Sequence, residues 1–276
     1  MTTLRRFARV ALDGARHVYI EIEANTGYVL TGAPWLGASR TGEVLAGFDD
    51  EGVGPFPRLA PVEPRKILCV GRNYRAHAKE LGNEVPAEPM LFLKPSTSIL
   101  DPGGAIELPP SDVSSRVDHE AELAVVIGTR MKRVDASQAR RGIFGITAAC
   151  DVSARDLQKK DGQWWRAKGS DTFCPVGPIV VMGLEIDSLE IECRVNDEVR
   201  QRGNTSDMIF DIGRVLSHVS RVMTLEPGDL VLTGSPEGVG PIVDGDRVEI
   251  RVEGVGHLRV RVQAAHGEAR STPPEA

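Results

Sequence analysis

The stretch Asp118-His119-Glu120-Ala121-Glu122-Leu123-Ala124-Val125-Val126-Ile127 carries two glutamates near one end and an unbroken apolar run at the other. Its length and β-branched content suit a buried strand, and residues two apart on a strand project from the same face. Glu120 and Glu122 therefore point the same way. A second apolar run, Gly145-Ile146-Thr147-Ala148-Ala149-Cys150-Asp151, ends in an acid of its own. If the two strand ends meet, three carboxylates converge. Like charges that close raise one another's pKa unless a cation sits among them.

Outward from these runs the second half of the chain stays strand-rich. Residues 122–127, 143–150, 179–182, 189–195, 230–233 and 248–252 are short β-branched runs, most of them separated by turn chemistry. Helices are few. Residues 208–223 place Ile209, Ile212, Val215, Leu216 and Val219 at helical spacing behind Ser206-Asp207 as a cap, and residues 74–81 form a shorter helix closed by Gly82. Gly254 and Gly256 bound a last hairpin. The pattern predicts an α+β, β-rich fold. We divide the chain into a small N-terminal β domain (1–65), whose hairpin-like pieces end in the Gly/Pro linker Gly52-Val53-Gly54-Pro55-Phe56-Pro57, a main domain (66–264) and a disordered tail (265–276).

Composition bounds the function. The 276 residues hold 33 Lys+Arg against 39 Asp+Glu, a formal charge of −6, with 41% hydrophobic and 5% aromatic residues. That is a soluble globular protein large enough for a sizeable core. It lacks the basic footprint that nucleic acid or an anionic membrane requires. No apolar run approaches the length of a membrane span. Cys69, Cys150, Cys174 and Cys193 lie far apart without C-x-x-C spacing, as buried reduced thiols do. Leu4-Arg5-Arg6-Phe7-Ala8-Arg9 reads as a first strand rather than a transit peptide, and the expected compartment is the cytoplasm.

Three carboxylates imply a divalent ion. All-oxygen ligation favours Mg²⁺, Mn²⁺ or Ca²⁺ over Zn²⁺, and three protein ligands leave coordination positions open for substrate. On spacing alone, a solvated strand face paired with arginines such as Arg116 or Arg155 is the commoner outcome. His77 and Glu80 are three apart on the short helix, so a carboxylate can orient an imidazole as a general base; many such pairs are only surface contacts. Lys168 follows a polar stretch and reads either as a solvated charge or as a group that holds a carboxylate or developing enolate. The turn Thr233-Gly234-Ser235-Pro236-Glu237-Gly238 matches no phosphate-binding motif and no nucleophile elbow.

Taken in order, Gly71-Arg72-Asn73-Tyr74 with His77 and Glu80, Pro89-Met90-Leu91-Phe92-Leu93-Lys94-Pro95-Ser96, Glu120-Ala121-Glu122-Leu123, Asp151-Val152-Ser153-Ala154-Arg155-Asp156-Leu157-Gln158, Lys168, Asp171-Thr172-Phe173-Cys174-Pro175-Val176-Gly177-Pro178 and Gly228-Asp229-Leu230-Val231-Leu232-Thr233-Gly234-Ser235-Pro236 resemble the fumarylacetoacetate hydrolase family. The resemblance covers residues 66–262. It implies a mixed β-sandwich roll, usually a homodimer, in which Glu120, Glu122 and Asp151 bind Mg²⁺ or Mn²⁺. It further implies that His77 and Glu80 ride on a mobile lid, and that Arg72, Asn73, Arg155, Gln158, Lys168 and Thr233 contact substrate and bound water. The substrates implied are small acids with a 2-oxo or enol group beside a carboxylate.

Hydrolysis of C–C bonds in acylpyruvate-like acids ranks first among the implied reactions. Isomerisation of a 2-hydroxyhepta-2,4-diene-1,7-dioate-type diacid follows narrowly, then oxaloacetate decarboxylation. From a different class, the chain suits a silent metal-dependent dicarboxylate-binding protein. Trp165 and Gly169-Ser170 depart from the family pattern beside Lys168 and put the distal pocket in question. His119 reads as a packing neighbour of the ligands rather than a fourth ligand.

Overall fold

A computed structural model describes residues 4–13, 16–49, 54–80, 82 and 84–265. The strand Ala121–Ile127 is buried at every position, as its unbroken apolar pattern requires. It pairs antiparallel with Ile143–Cys150 on one side, Ala121 opposite Cys150, and with Leu230–Leu232 on the other. From this centre a twelve-stranded sheet extends both ways. One flank adds Cys174–Met182 and then the N-terminal strands Arg5–Asp13, Arg16–Glu23, Thr26–Leu30 and Arg40–Ala46. The other adds Ile67–Gly71, parallel to Leu230–Leu232, and the edge strand Met90–Lys94.

A five-stranded sheet runs Glu198–Asn204, Glu190–Val195, Arg247–Val252, Gly256–Gln263, Ala105–Glu107. Val117–His119, Ser153–Ala154 and Gly240–Pro241 form a small third sheet. The inward sides of the large and five-stranded sheets share one apolar cluster, including Leu123, Val125, Ile146, Ile191, Ile250 and Leu258. The α+β, β-rich reading is therefore the architecture observed.

The N-terminal strands are continuous with the large sheet: Arg5, Arg6 and Phe7 pair with Met182, Val181 and Val180. Phe7 joins Val126, Val176 and Val180 in a second apolar cluster on the opposite face. The linker residues Gly52-Val53, Leu81 and the tail from residue 266 lie outside the described residues. The four cysteines are free and buried, and no helix among the described residues is long and apolar enough to cross a membrane.

The long helix begins later than its periodicity predicts. It spans Ile212–Val222 with Asp211 as N-cap, the carboxylate accepting from the Arg214 N–H. Ser206-Asp207 instead belongs to the 3₁₀ turn Thr205–Asp207. The reason is tertiary: the Ile209 N–H donates to Asn73 O and the Phe210 N–H to Asn73 Oδ1. Those donors are taken by the segment that leads into the short helix Arg75–Glu80.

Candidate metal and catalytic site

Glu120 occupies the break between Val117–His119 and Ala121–Ile127, where its carbonyl accepts from the Asp151 N–H. This bond extends the ladder past the Ala121–Cys150 pair and holds the two acid-bearing ends side by side. An oxygen from each of Glu120, Glu122 and Asp151 lies within 4.8 Å of the others, and all three residues are buried. Among the described residues no other group of three His, Cys, Asp or Glu side chains is so arranged.

Three ammonium or guanidinium groups brace the cluster. Lys168 Nζ sits 3.0 Å from Glu120 Oε1 and 2.6 Å from Asp151 Oδ2. Arg155 reaches Glu120 at 2.6 Å and Asp118 at 2.8 Å. Lys94 Nζ lies 2.7 Å from Asp151 Oδ1 and donates to the carbonyls of Val152, Lys168 and Phe173. Burial pulls the Lys94 ammonium down, but Asp151, Cys174 and Cys69 together take the group up to about 12. Burial likewise pushes Glu120 up, yet Lys168 and then Arg155 hold it below the ordinary carboxylate range.

Glu122 differs. It is 1% exposed, accepts the Gly234 N–H at 2.6 Å and has no ion pair among the described residues. Burial first, then Asp151 and Glu120, push its carboxyl well above the usual range. A buried carboxylate without a counter-charge is costly. The donor set, three convergent oxygens with one unmatched charge, fits a hard divalent cation.

His77 and Glu80 form a pair beside the cluster. His77 Nδ1 lies 3.2 Å from Glu80 Oε2 on the helix Arg75–Glu80. Glu80 Oε1 accepts the Gly238 N–H at 3.0 Å, so the dyad is tied to the turn that holds Glu122. Gly82 caps the helix as expected, at φ +67°, its N–H donating to Lys79 O. Gly234 is required where it stands: its φ is +99°, and a Cβ there would meet the Asn73 Cβ at 2.7 Å.

A cavity of about 280 Å³ is lined by Gly71, Arg72, His77, Phe92, Glu120, Arg155, Gln158, Lys159, Trp164 and Lys168. The structure therefore brings six of the sequence-predicted residues to one cavity. Asn73 and Thr233 are placed differently. Asn73 is fully buried and bonds Phe210 O, Thr233 O and the Phe210 N–H. Thr233 donates its hydroxyl to Leu123 O. Both act as clamps behind the wall.

Lys168, whose context allowed a solvated charge, is 2% exposed at the centre of the site. Trp165 is 70% exposed, and it is Trp164, edge-on to Phe92 at 5.5 Å, that lines the cavity. His119 is buried, its Nδ1 facing Gln201 Oε1 at 3.0 Å, outside the acidic cluster.

Lys94 and Gln201 went unassigned in the sequence. The Gln201 amide accepts from the Ala121 N–H and donates to Ser235 Oγ and Pro236 O, joining the ligand strand to the ligand turn. No local signal marks it. Lys94 sits among apolar residues in Met90-Leu91-Phe92-Leu93-Lys94, and an ammonium in such a run is the clue that a buried counter-charge awaits it.

The β-rich roll thus carries a buried acidic cluster and a His–Glu pair at one small cavity. The model of the family described as fumarylacetoacetate (FAA) hydrolase C-terminal matches residues 66–263, and the chain belongs to this family. It is 46% identical over 205 residues to "Oxaloacetate tautomerase FAHD1, mitochondrial" of Arabidopsis thaliana, covering 72% of this chain and 91% of that protein. It is 43% identical over 198 residues to "Oxaloacetate decarboxylase, mitochondrial" of Dictyostelium discoideum, covering 69% and 90%. Among solved structures, 5-carboxymethyl-2-hydroxymuconate delta-isomerase from Mycobacterium smegmatis superposes with a TM-score of 0.84 at 43% identity, over 94% of this chain and 99% of that one.

Proposed function

We propose that the chain is a divalent-metal-dependent enzyme that moves a proton on a small 2-oxo acid, interconverting its enol and keto forms or shifting its double bond. The observation that carries this reading is the placement of His77, backed by Glu80, in the same cavity as Glu120 and Lys168. Bound by Glu120, Glu122 and Asp151, Mg²⁺ or Mn²⁺ would supply positive charge beside the substrate's carboxylate and 2-oxo oxygen.

The chain's own residues do the rest. With Nδ1–H donating to Glu80, His77 keeps Nε2 free to take a proton from the carbon beside the oxo group and to return one at the oxygen or a farther carbon. Glu80, fixed by the Gly238 N–H, orients the ring. The Lys168 ammonium adds charge beside the oxygen on which negative charge develops. Phe92 and Trp164 limit water at the wall.

Hydrolysis, the reading ranked first from sequence, draws less support than this alternative, because relatives at 43–46% identity carry tautomerase, decarboxylase and isomerase names, whereas a structure named fumarylacetoacetate hydrolase, from Exiguobacterium antarcticum, is 34% identical. The test follows the ultraviolet enol absorbance of oxaloacetate with Mn²⁺ and then with excess EDTA. Enol decay that is faster than the buffer control, EDTA-sensitive and lost in His77→Asn supports the proposal. Release of acetate and pyruvate from acetylpyruvate without any effect on enol decay would replace it with hydrolysis.

A further inference from the structure

Two cations on the cavity wall are left unmatched by the ion pairs of the site. Arg155 and Lys168 are matched by Asp118, Glu120 and Asp151, and Lys94 by Asp151. Arg72 and Lys159 line the same cavity, and neither has a hydrogen-bond or ion-pair partner among the described residues. Arg72 is also held at φ +57°, a left-handed conformation that residues with a side chain seldom adopt. Gln158 gives its carbonyl oxygen to the Arg155 guanidinium at 2.8 Å, which leaves its NH₂ to donate elsewhere.

The charge balance points to the ligand. Arg72, Lys94, Arg116, Arg155, Lys159 and Lys168 stand against Glu80, Asp118, Glu120, Glu122 and Asp151 at the cavity and its ion pairs, and a divalent cation adds two more positive charges. A 2-oxo monocarboxylate offsets one of the surplus; a dicarboxylate offsets two. We infer that Lys159, with Arg72, receives a second carboxylate at the far end of the substrate and makes the site selective for 2-oxo dicarboxylates over acids of equal length with a neutral tail. The inference rests on the proposed function for the near end of the substrate and assigns Lys159 as the residue that sets specificity at the far end.

The test compares 2-oxoglutarate with 2-oxopentanoate, five-carbon acids that share the 2-oxo carboxylate and differ at the other end. Their Kd values are measured by calorimetry on the Mn²⁺-loaded protein and its Lys159→Met and Lys159→Glu variants. Wild type should bind the diacid about tenfold more tightly. Lys159→Met should cut that preference to threefold or less and Lys159→Glu reverse it, while the Kd for 2-oxopentanoate and for Mn²⁺ stays within twofold. Raising salt from 50 to 500 mM should shrink the preference in wild type but not in Lys159→Met.

Equal affinity of wild type for the two acids, or Lys159 variants that weaken both alike, would overturn the inference and leave the proposed function standing. Binding of Mn²⁺ with no binding of either acid would overturn the proposed function, and the inference with it.

Discussion

At the scale of single residues, the site separates two buried glutamates that the sequence makes look equivalent. Glu120 accepts charge from Lys168 and Arg155 and a hydrogen bond from Ser153 Oγ; Glu122 accepts one backbone N–H. Removing one partner of a buried ion pair strands the other and costs about 3 kcal/mol or more. Glu120→Gln should therefore lower the Tm of the metal-free protein, by roughly 6–12 °C at about 2–4 °C per kcal/mol. Glu122→Gln keeps an acceptor for the Gly234 N–H and removes a charge that nothing offsets, so its metal-free Tm should be unchanged or higher. Both variants should lose saturable Mn²⁺ binding. Thermal unfolding in EDTA and Mn²⁺ calorimetry read the two effects separately; a Glu122→Gln protein that bound Mn²⁺ like wild type would end the ligand assignment.

At the scale of elements, the helix Arg75–Glu80 is only six residues long, too short to be stable by itself in water. It is held by Asn73, whose side chain and carbonyl engage Ile209 and Phe210, and by the Glu80 contact with Gly238. Glu80→Ala removes the dyad's orienting carboxylate and one tether at once. We expect kcat to fall about 10²-fold or more, the lower range for a lost acid–base element, with Mn²⁺ affinity within twofold of wild type; loss of metal binding would place Glu80 among the ligands instead. The same contacts show why sequence reading stopped where it did. The strand Ile143–Cys150 was legible to the residue because apolar runs and turn residues are local signals. So was the shared face of Glu120 and Glu122, which follows from a period of two. The start of the helix Ile212–Val222 was not, since it is decided by Asn73, well over a hundred positions away. Nor was the burial of Lys168 and Lys94, because an ammonium is read as solvated until the chain folds and shows the carboxylates around it. Nor could the sequence tell which of Trp164 and Trp165 lines the cavity, because adjacent residues at the start of a one-turn helix differ by a rotation that only packing fixes.

At the scale of the whole molecule, the N-terminal strands do more than lengthen the sheet. Trp35 contacts Phe144 edge-on at 5.9 Å and Tyr19 at 5.4 Å. Its indole also fills the space beside Gly228, where a Cβ would lie 2.5 Å from Nε1. From Gly228 the chain enters Leu230–Leu232, and two residues beyond that strand Gly234 donates to Glu122. We propose that residues 1–65 are a structural buttress for the ligand-bearing strands rather than an independently folding unit. Trp35 is half-buried, so Trp35→Ala should cost about 2–3 kcal/mol, below the range for a fully buried tryptophan, and lower Tm by roughly 4–12 °C. Because Gly234 is reached through a strand paired on both sides, with Ile67–Gly71 and Ala121–Ile127, Mn²⁺ affinity of the folded variant should stay within threefold. Residues 66–276 expressed alone should then fail to give a monodisperse species with a cooperative transition, since Val176, Val180 and Phe144 lose the cover of Phe7 and Trp35. A truncated chain that unfolds cooperatively at the wild-type Tm and binds Mn²⁺ would show that the N-terminal strands are an appendage to a domain complete without them.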